Sequence, residues 1–216
     1  MKHLLRTLLV LAPVVLGAQT VATTKHNLSI SGPNTVFKTG TLGNQVCVYC
    51  HTPHNALNTN GPLWNRAASA ATYTMYGTTL RGTTTAATPG ANSKSCLSCH
   101  DGTVAMFSLN NTYLGTITAA DMTSPKPATS NVSITTGMIT GATLVGPVLT
   151  NDHPVSIAYP PAATAGYKDV ATFTTMKLFS NQVECASCHL VHDSTNSPFL
   201  RRSNAGSALC NECHTK

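Results

Sequence analysis

Cys47-Val48-Tyr49-Cys50-His51 is the first of four segments in this 216-residue chain with the spacing Cys-x-x-Cys-His. The spacing returns at residues 96–100, 185–189 and 210–214, and the segments are called motifs 1 to 4 in chain order. Two thiols three residues apart lie on one side of a single helical turn, so both can face the same group. The four motifs use all eight cysteines of the sequence, which leaves none for a disulfide.

This spacing is typical of covalently attached c-type haem: each thiol bonds one vinyl group of a porphyrin, and the following histidine is the proximal iron ligand. We therefore predict four c-type haems, held by Cys47, Cys50, Cys96, Cys99, Cys185, Cys188, Cys210 and Cys213. The predicted proximal ligands are His51, His100, His189 and His214. Structural zinc is the alternative, because it also uses paired Cys-x-x-Cys units, but zinc does not require a histidine after every second cysteine.

The remaining histidines match the number of irons. Of nine histidines, one is His3 at the start of the chain and four are proximal, which leaves His26, His54, His153 and His192. Four haems need four sixth ligands, so the count predicts bis-histidine, low-spin iron throughout. Methionine is the rival sixth ligand, but the methionines after the start of the chain lie in apolar settings typical of packing.

Helical spacing limits which histidine can serve which haem. His54 follows His51 by three residues, and His192 follows His189 by three, so each pair projects from one face of a turn. The two ligands of one iron approach from opposite faces of the porphyrin. We therefore expect His54 not to serve the haem of motif 1, and His192 not to serve that of motif 3. Each is expected to reach a neighbouring haem.

The first residues have the pattern of a secretory signal peptide. Lys2 and Arg6 precede an apolar run over residues 8–16 and then small residues, with candidate cleavage sites after Ala18 or Ala22. A retained membrane anchor is the alternative, but the run is shorter than the about 20 apolar residues that a spanning helix needs. We predict a signal peptide over residues 1–22, export, and no membrane span after processing.

The charge does not indicate a nucleic-acid partner. The formal net charge is +6, and removal of the leader takes Lys2 and Arg6 away from it. Eight haem propionates offset most of what is left, so the sequence pI of about 9.0 overstates the charge of the loaded protein. We expect no nucleic-acid binding.

Weak periodicity predicts an irregular fold. Only 9% of residues are charged, glycine and proline interrupt every long interval, and residues 19–46 read as an extended arm. The interval 102–184 holds short β-favouring pieces around residues 132 and 143. We predict one tetrahaem domain over residues 23–216. It is mostly irregular coil with a few short helices and at most a small β-hairpin, wrapped around a stacked four-haem array.

Three further segments carry a resemblance to a known family: Cys50-His51-Thr52-Pro53-His54, Lys25-His26-Asn27-Leu28-Ser29 and Asp152-His153-Pro154-Val155. With the four motifs, they make the sequence resemble bacterial secreted multihaem c-type cytochromes. In particular, it is similar to the tetrahaem proteins whose subunits polymerise into extracellular filaments, or nanowires. The Thr-rich intervals carry no matching signature.

The resemblance implies a continuous haem chain of alternating parallel and T-shaped pairs, with one sixth ligand per subunit supplied by a neighbour. It implies a homopolymer, and His26 on its terminal arm is the expected shared ligand. It also implies redox partner proteins or extracellular acceptors, and a location outside the cell or at its surface. The periplasm is the alternative location.

The ligand count favours an electron conduit over an enzyme, because iron with two protein ligands has no open position for a substrate. A soluble periplasmic tetrahaem shuttle, or an electron donor to a reductase, is the alternative within electron transfer. A multihaem reductase is the alternative from another class. It needs an open haem site, and the sequence contains no Cys-x-x-Cys-Lys variant that would indicate one.

Overall fold

The computed structural model describes residues 21–33, 45–77, 80, 83–112, 117–118, 131–133, 135–162 and 164–215. Residues 1–20, most of the predicted signal peptide, lie outside this part. Turns, bends and irregular segments make up most of it, which confirms the coil-dominated fold expected from the sequence. Within the described ranges, no helix is both long and apolar enough to cross a membrane.

The regular elements are short. Helix α1 spans Ala91–His100 and helix α2 spans Cys185–Cys188. Strand β1, Ile157–Ala158, pairs antiparallel with β2, Gln182–Val183, in the register Ile157 to Val183. Single 3-10 turns lie at Val21–Thr23, Cys47–Tyr49, Gly141–Thr143, Leu149–Asn151, Val170–Thr172, Ala205–Ser207 and Cys210–Glu212.

The strand pair does not form where the β-favouring sequence lies. Around residue 132 there is only an isolated bridge between Val132 and Ile139, closed by a turn in which Gly137 has φ 71°. A left-handed residue and the 3-10 turn at Gly141–Thr143 end the extended backbone there. The two-stranded sheet instead joins segments far apart in sequence, so it is not a hairpin.

A buried carboxylate joins the two α-helices. Glu184 caps the start of α2, where its side chain accepts from the Ser187 backbone N–H and Ser187 in turn accepts from the Glu184 N–H. The same carboxylate accepts hydrogen bonds from the hydroxyl of Ser93 in α1 and from that of Ser156, 3.1 Å away, just before β1. This contact places motif 2, which ends α1, beside motif 3, which forms α2.

Residues 21–33 fold compactly, contrary to the extended arm expected from the sequence. The Asn27 side chain is fully buried; its Nδ2 donates to the Ala22 carbonyl (2.6 Å) and its Oδ1 accepts from the Ser29 backbone N–H (3.0 Å). Leu28 packs into a cluster of buried apolar side chains. Local side-chain bonds of this Asx-turn kind have no periodic signature, so the expectation missed them.

The apolar interior of the protein is small. The main cluster contains Leu28, Tyr49, Met106, Ile117, Val132 and Ile139. Among the described residues, the buried polar residues are slightly more numerous than the buried apolar ones and include Arg66, Asp101, Glu184 and Glu212. An interior with so few large side chains fits a chain that folds around flat apolar cofactors.

Gly90→Ala tests the link between the helices. Gly90 has an ordinary backbone conformation, but an added Cβ would meet Oε1 of Glu184 and push that carboxylate away from its hydroxyl donors. We expect a loss of about 1–3 kcal/mol of stability, because a buried charged acceptor loses hydrogen bonds. Thermal unfolding followed by circular dichroism measures it. Gly77→Ala is the matched control, since no atom lies within 4 Å of its added Cβ; equal melting temperatures for the two variants would contradict the role of Glu184.

Candidate haem-binding sites

Each motif forms the single helical turn that its spacing predicts. The backbone N–H of the motif histidine donates to the carbonyl of the first motif cysteine in motifs 1, 3 and 4, at 2.8, 3.0 and 3.0 Å. Motif 2 is the last turn of α1. All eight cysteines lie in the described part of the chain and none forms a disulfide. Each turn therefore carries two thiols that form no disulfide, followed directly by one imidazole.

Backbone carbonyls orient the proximal rings. The Nδ1 atoms bond the carbonyl oxygens of Pro62 for His51 (2.9 Å), of Thr143 for His100 (2.8 Å) and of Pro198 for His189 (3.0 Å). A carbonyl oxygen can only accept, so each Nδ1 carries the proton. In the neutral ring this tautomer leaves the opposite nitrogen, Nε2, as the one that can bind a metal, as in other histidine ligands with a second hydrogen bond. His153 has the same arrangement with the Pro154 carbonyl at 3.0 Å.

Three pairs of imidazoles face each other across similar gaps. The ring centres are 6.2 Å apart for His26 and His100, 6.3 Å for His51 and His192, and 6.5 Å for His153 and His214. Two imidazoles on opposite sides of one metal ion, with bonds of about 2 Å, have ring centres about 6 Å apart because each ligating nitrogen lies about 1 Å from its ring centre. Each pair joins one motif histidine to one non-motif histidine. The residues present therefore fit the axial ligands of a haem iron.

His54 and His189 have no such partner among the described residues. His54 is exposed, and His189 is half-buried. The His192 ring lies opposite His51, although in sequence it is only three residues from His189. This is the arrangement expected if residues three apart cannot bind one iron from opposite sides.

His26 is half-buried within the folded segment 21–33 and does not lie on a free arm. Its ring packs against Phe199, with ring centres 4.5 Å apart, and faces His100 of the same chain. Burial, helped by the nearby imidazoles of His100, His189 and His192, lowers the pKa of His26 to about 4, so the ring is neutral and able to bind metal at neutral pH. This placement differs from the expectation that His26 reaches a neighbouring subunit, because the folded segment 21–33 turns it inward.

Motifs 2 and 3 touch through their first cysteines. The interaction between the neighbouring Cys96 and Cys185 thiols raises the pKa of Cys96 and lowers that of Cys185. Together with the Glu184 contact, this indicates that the two attachment points are close to each other. Groups bound at these two positions would be held side by side.

Buried charged groups accompany the motifs, and sequence reasoning missed them. Asp101, directly after motif 2, is 2% exposed and accepts from the hydroxyls of Ser69 and Tyr73 and from the N–H of Thr103. Arg66 is 1% exposed and lies near Cys99. The position of Asp101 directly after motif 2 was visible in the sequence, but burial of a charged group has no sequence signal of its own.

Glu212 lies between the two cysteines of motif 4 and is held as a carboxylate. Burial alone would raise its pKa. Hydrogen bonds from the Thr175 N–H, the Arg202 guanidinium, the Thr174 N–H and the Thr175 hydroxyl outweigh this and hold the pKa of the carboxyl well below its usual range. The ion pair with Arg202 measures 2.6 Å. Glu212 thereby ties the 174–175 segment to motif 4.

Aromatic rings border two of the proximal ligands. The Trp64 indole stands edge-on to His51, with centres 5.7 Å apart at 84°, and its N–H donates to the hydroxyl of Ser98 in motif 2 (3.2 Å). Tyr167 lies 5.0 Å from His214. In the structure Trp64 connects the ligand of motif 1 to the turn of motif 2.

The donor set defines a class of protein. Among the described residues, no three His, Cys, Asp or Glu side chains cluster closely enough to hold a metal ion, whereas a structural zinc site needs four ligands. Paired thiols on a helical turn, followed directly by a histidine that can ligate iron, are what covalent haem attachment requires.

The family comparison agrees with this class. Residues 178–216, which contain motifs 3 and 4, match the family model described as the doubled CXXCH motif. None of the curated proteins matches the chain. The doubled motif supports a multihaem c-type cytochrome involved in electron transfer.

His192→Ala tests the ring pairs. Removing the imidazole opposite His51 should leave one additional five-coordinate, high-spin iron per chain, because no other described imidazole faces His51 at ligand distance. Electron paramagnetic resonance of the oxidised protein measures it. In dispersed single subunits, His54→Ala is the control and should leave the spin states unchanged. A fully low-spin His192→Ala protein would refute the pairing of His51 with His192.

Glu212→Gln tests the buried carboxylate of motif 4. The pKa of Glu212 is lower in the folded protein than in the unfolded chain. The carboxylate therefore contributes its full stabilisation above the usual Glu pKa of about 4.3, and this stabilisation is lost as the pH falls from there through the lower folded pKa. We expect the variant to melt lower than wild type at pH 7, with the difference narrowing at pH 3. Asp169→Asn, at an exposed position, is the control. A difference independent of pH would show that the charge of Glu212 has no part in its effect.

Proposed function

We propose that this protein is a tetrahaem electron-transfer cytochrome whose four closely spaced haems form one conducting array. Its coil fold, its four thiol-bearing turns and the match of residues 178–216 to the doubled motif support this. Bound iron porphyrin supplies reversible one-electron transfer, and the chain supplies its spacing and environment.

The proposed ligands follow the three facing pairs. His51 and His192 hold the iron of motif 1, His100 and His26 that of motif 2, and His214 and His153 that of motif 4. Motif 3 contributes His189 alone. The carbonyl bonds to Nδ1 keep the proximal rings in the tautomer that presents Nε2 to the metal.

The three facing imidazole pairs are the observation that carries the proposal. With both axial positions filled by protein, an iron cannot bind a substrate, and outer-sphere electron transfer is the chemistry left to it. The contact of Cys96 with Cys185, and the Trp64 link from His51 to motif 2, hold successive sites close together.

Two histidines that face no other imidazole in the described part of the chain support a polymer. His54 is exposed on the surface and His189 lacks a partner in its own chain among the described residues. We propose that His54 of one subunit completes the site of motif 3 in the next, in place of His26, which the fold directs to His100. The subunits then join head to tail, and a heterologous contact of this kind extends into a filament.

The proposed filament is extracellular or attached to the cell surface, and passes electrons from redox partner proteins to acceptors outside the cell. The predicted signal peptide supports export. Three of the four motif histidines face a second imidazole of the same chain, and, within the described ranges, His189 does not. This difference favours the filament over a soluble periplasmic shuttle.

His54→Ala tests the shared ligand. We expect no fibres by negative-stain microscopy, and a high-spin iron that persists at motif 3 under assembly conditions. A variant subunit still accepts a ligand at motif 3 but donates none, so a small fraction mixed with wild type should shorten the fibres. Asn58→Ala, exposed in the same loop, is the control and should assemble normally.

The outcomes separate the candidate functions. His54→Ala fibres of normal length would overturn the shared ligand. Monodisperse wild-type particles with fully low-spin iron would favour the soluble shuttle or reductase donor. Binding of nitrite or hydroxylamine to iron in the assembled wild-type protein would favour a reductase, since it requires an open coordination position.

A further inference from the structure

Arg66 is a buried cation without an anionic partner. It is 1% exposed, its Nη1 and Nη2 donate to the neutral carbonyls of Met106 (2.7 Å) and Ala105 (2.8 Å), and its Nε is buried without an acceptor. Among the described residues, no carboxylate oxygen lies at ion-pair distance from it. Its charge is therefore neither screened by water nor neutralised by a contact.

Arg66 lies between motifs 1 and 2. The preceding residue, Asn65, is tied to motif 1: its N–H donates to the Cys50 carbonyl (2.8 Å) and its side chain to the Val48 carbonyl (2.7 Å). The Arg66 side chain reaches the segment that follows motif 2. The guanidinium is an electrostatic neighbour of both Cys50 in motif 1 and Cys99 in motif 2.

Each of the other three motifs has a buried carboxylate next to it or within it. Asp101 adjoins motif 2 and opposes the effect of Arg66 on Cys99, Glu184 precedes motif 3, and Glu212 lies within motif 4. Motif 1 alone among the four has the buried cation beside it and no buried carboxylate among the described residues. The net electrostatic effect of the buried charges is therefore positive at motif 1 and not at motifs 2, 3 and 4.

We propose that Arg66 sets the order of electron uptake, making the iron site of His51 and His192 the first to be reduced. Reduction adds one negative charge, and a nearby unscreened cation stabilises that charge. A unit charge about 10 Å away, at an effective dielectric constant of about 20, changes the ferric-to-ferrous ratio by about tenfold. The proposal rests on haem at motifs 1 and 2 and not on polymerisation.

Arg66→Gln tests the charge at nearly constant volume. The midpoint potentials are measured in a potentiometric titration followed by the visible spectrum. We expect the ferric-to-ferrous ratio of the site that is reduced first to rise about tenfold at a given potential, which lowers the highest midpoint potential by about 59 mV for one electron. Arg66→Lys keeps the charge and should retain most of the wild-type value. Exposed Lys177→Gln, which makes the same change in net charge, should shift nothing.

The wild-type protein provides a test that needs no variant to fold. In nuclear magnetic resonance of dispersed subunits, haem-methyl signals with contacts to the His192 ring, which faces His51, identify the haem of motif 1. These signals should be the first to disappear from their ferric positions as the sample is reduced. First reduction at another motif, or an Arg66→Gln titration that matches wild type, would overturn the proposal. A protein without a haem spectrum would instead refute the proposed function itself.

Discussion

The opposed imidazole pair is the constraint on which the rest of this structure depends. Ring centres 6.2 to 6.5 Å apart require two backbone segments, distant in sequence, to be held at a fixed separation. His51 and His192 are 141 positions apart, and the chain brings them together with almost no regular secondary structure. Short turns, buried polar side chains and hydrogen bonds to carbonyls do the positioning that layers of helix and sheet do elsewhere.

Polar contacts take the place of an apolar core in this task. Glu184 links α1 to α2, Glu212 links the 174–175 segment to motif 4, and Asn27 folds the segment that carries His26. Each replaces water by protein donors around a buried acceptor, and such networks are stable only when every partner is present. The same buried charges lie next to the thiols of the motifs, so groups that build the fold also set the field at the sites.

The site of motif 3 lacks a second imidazole among the described residues. His54 and His192 are each three residues beyond a motif histidine, and neither can turn back to the iron of its own motif. Inside the chain only His192 finds a partner, at His51. In the proposed assembly, the exposed His54 of one subunit and His189 of the next form one further pair, and each added subunit completes a site.

The sequence by itself determined the local chemistry. Motif spacing is a short-range property, so the helical turns, the thiol and histidine placement and the coil-rich fold could be predicted from residues 47–51 and their three repeats. The count of histidines likewise indicated bis-histidine ligation. Only the tertiary structure decided the partners: that His26 turns inward to His100, that Cys96 meets Cys185, and that Arg66 is buried near motif 1. These depend on contacts between residues tens of positions apart and on burial, which no local pattern encodes.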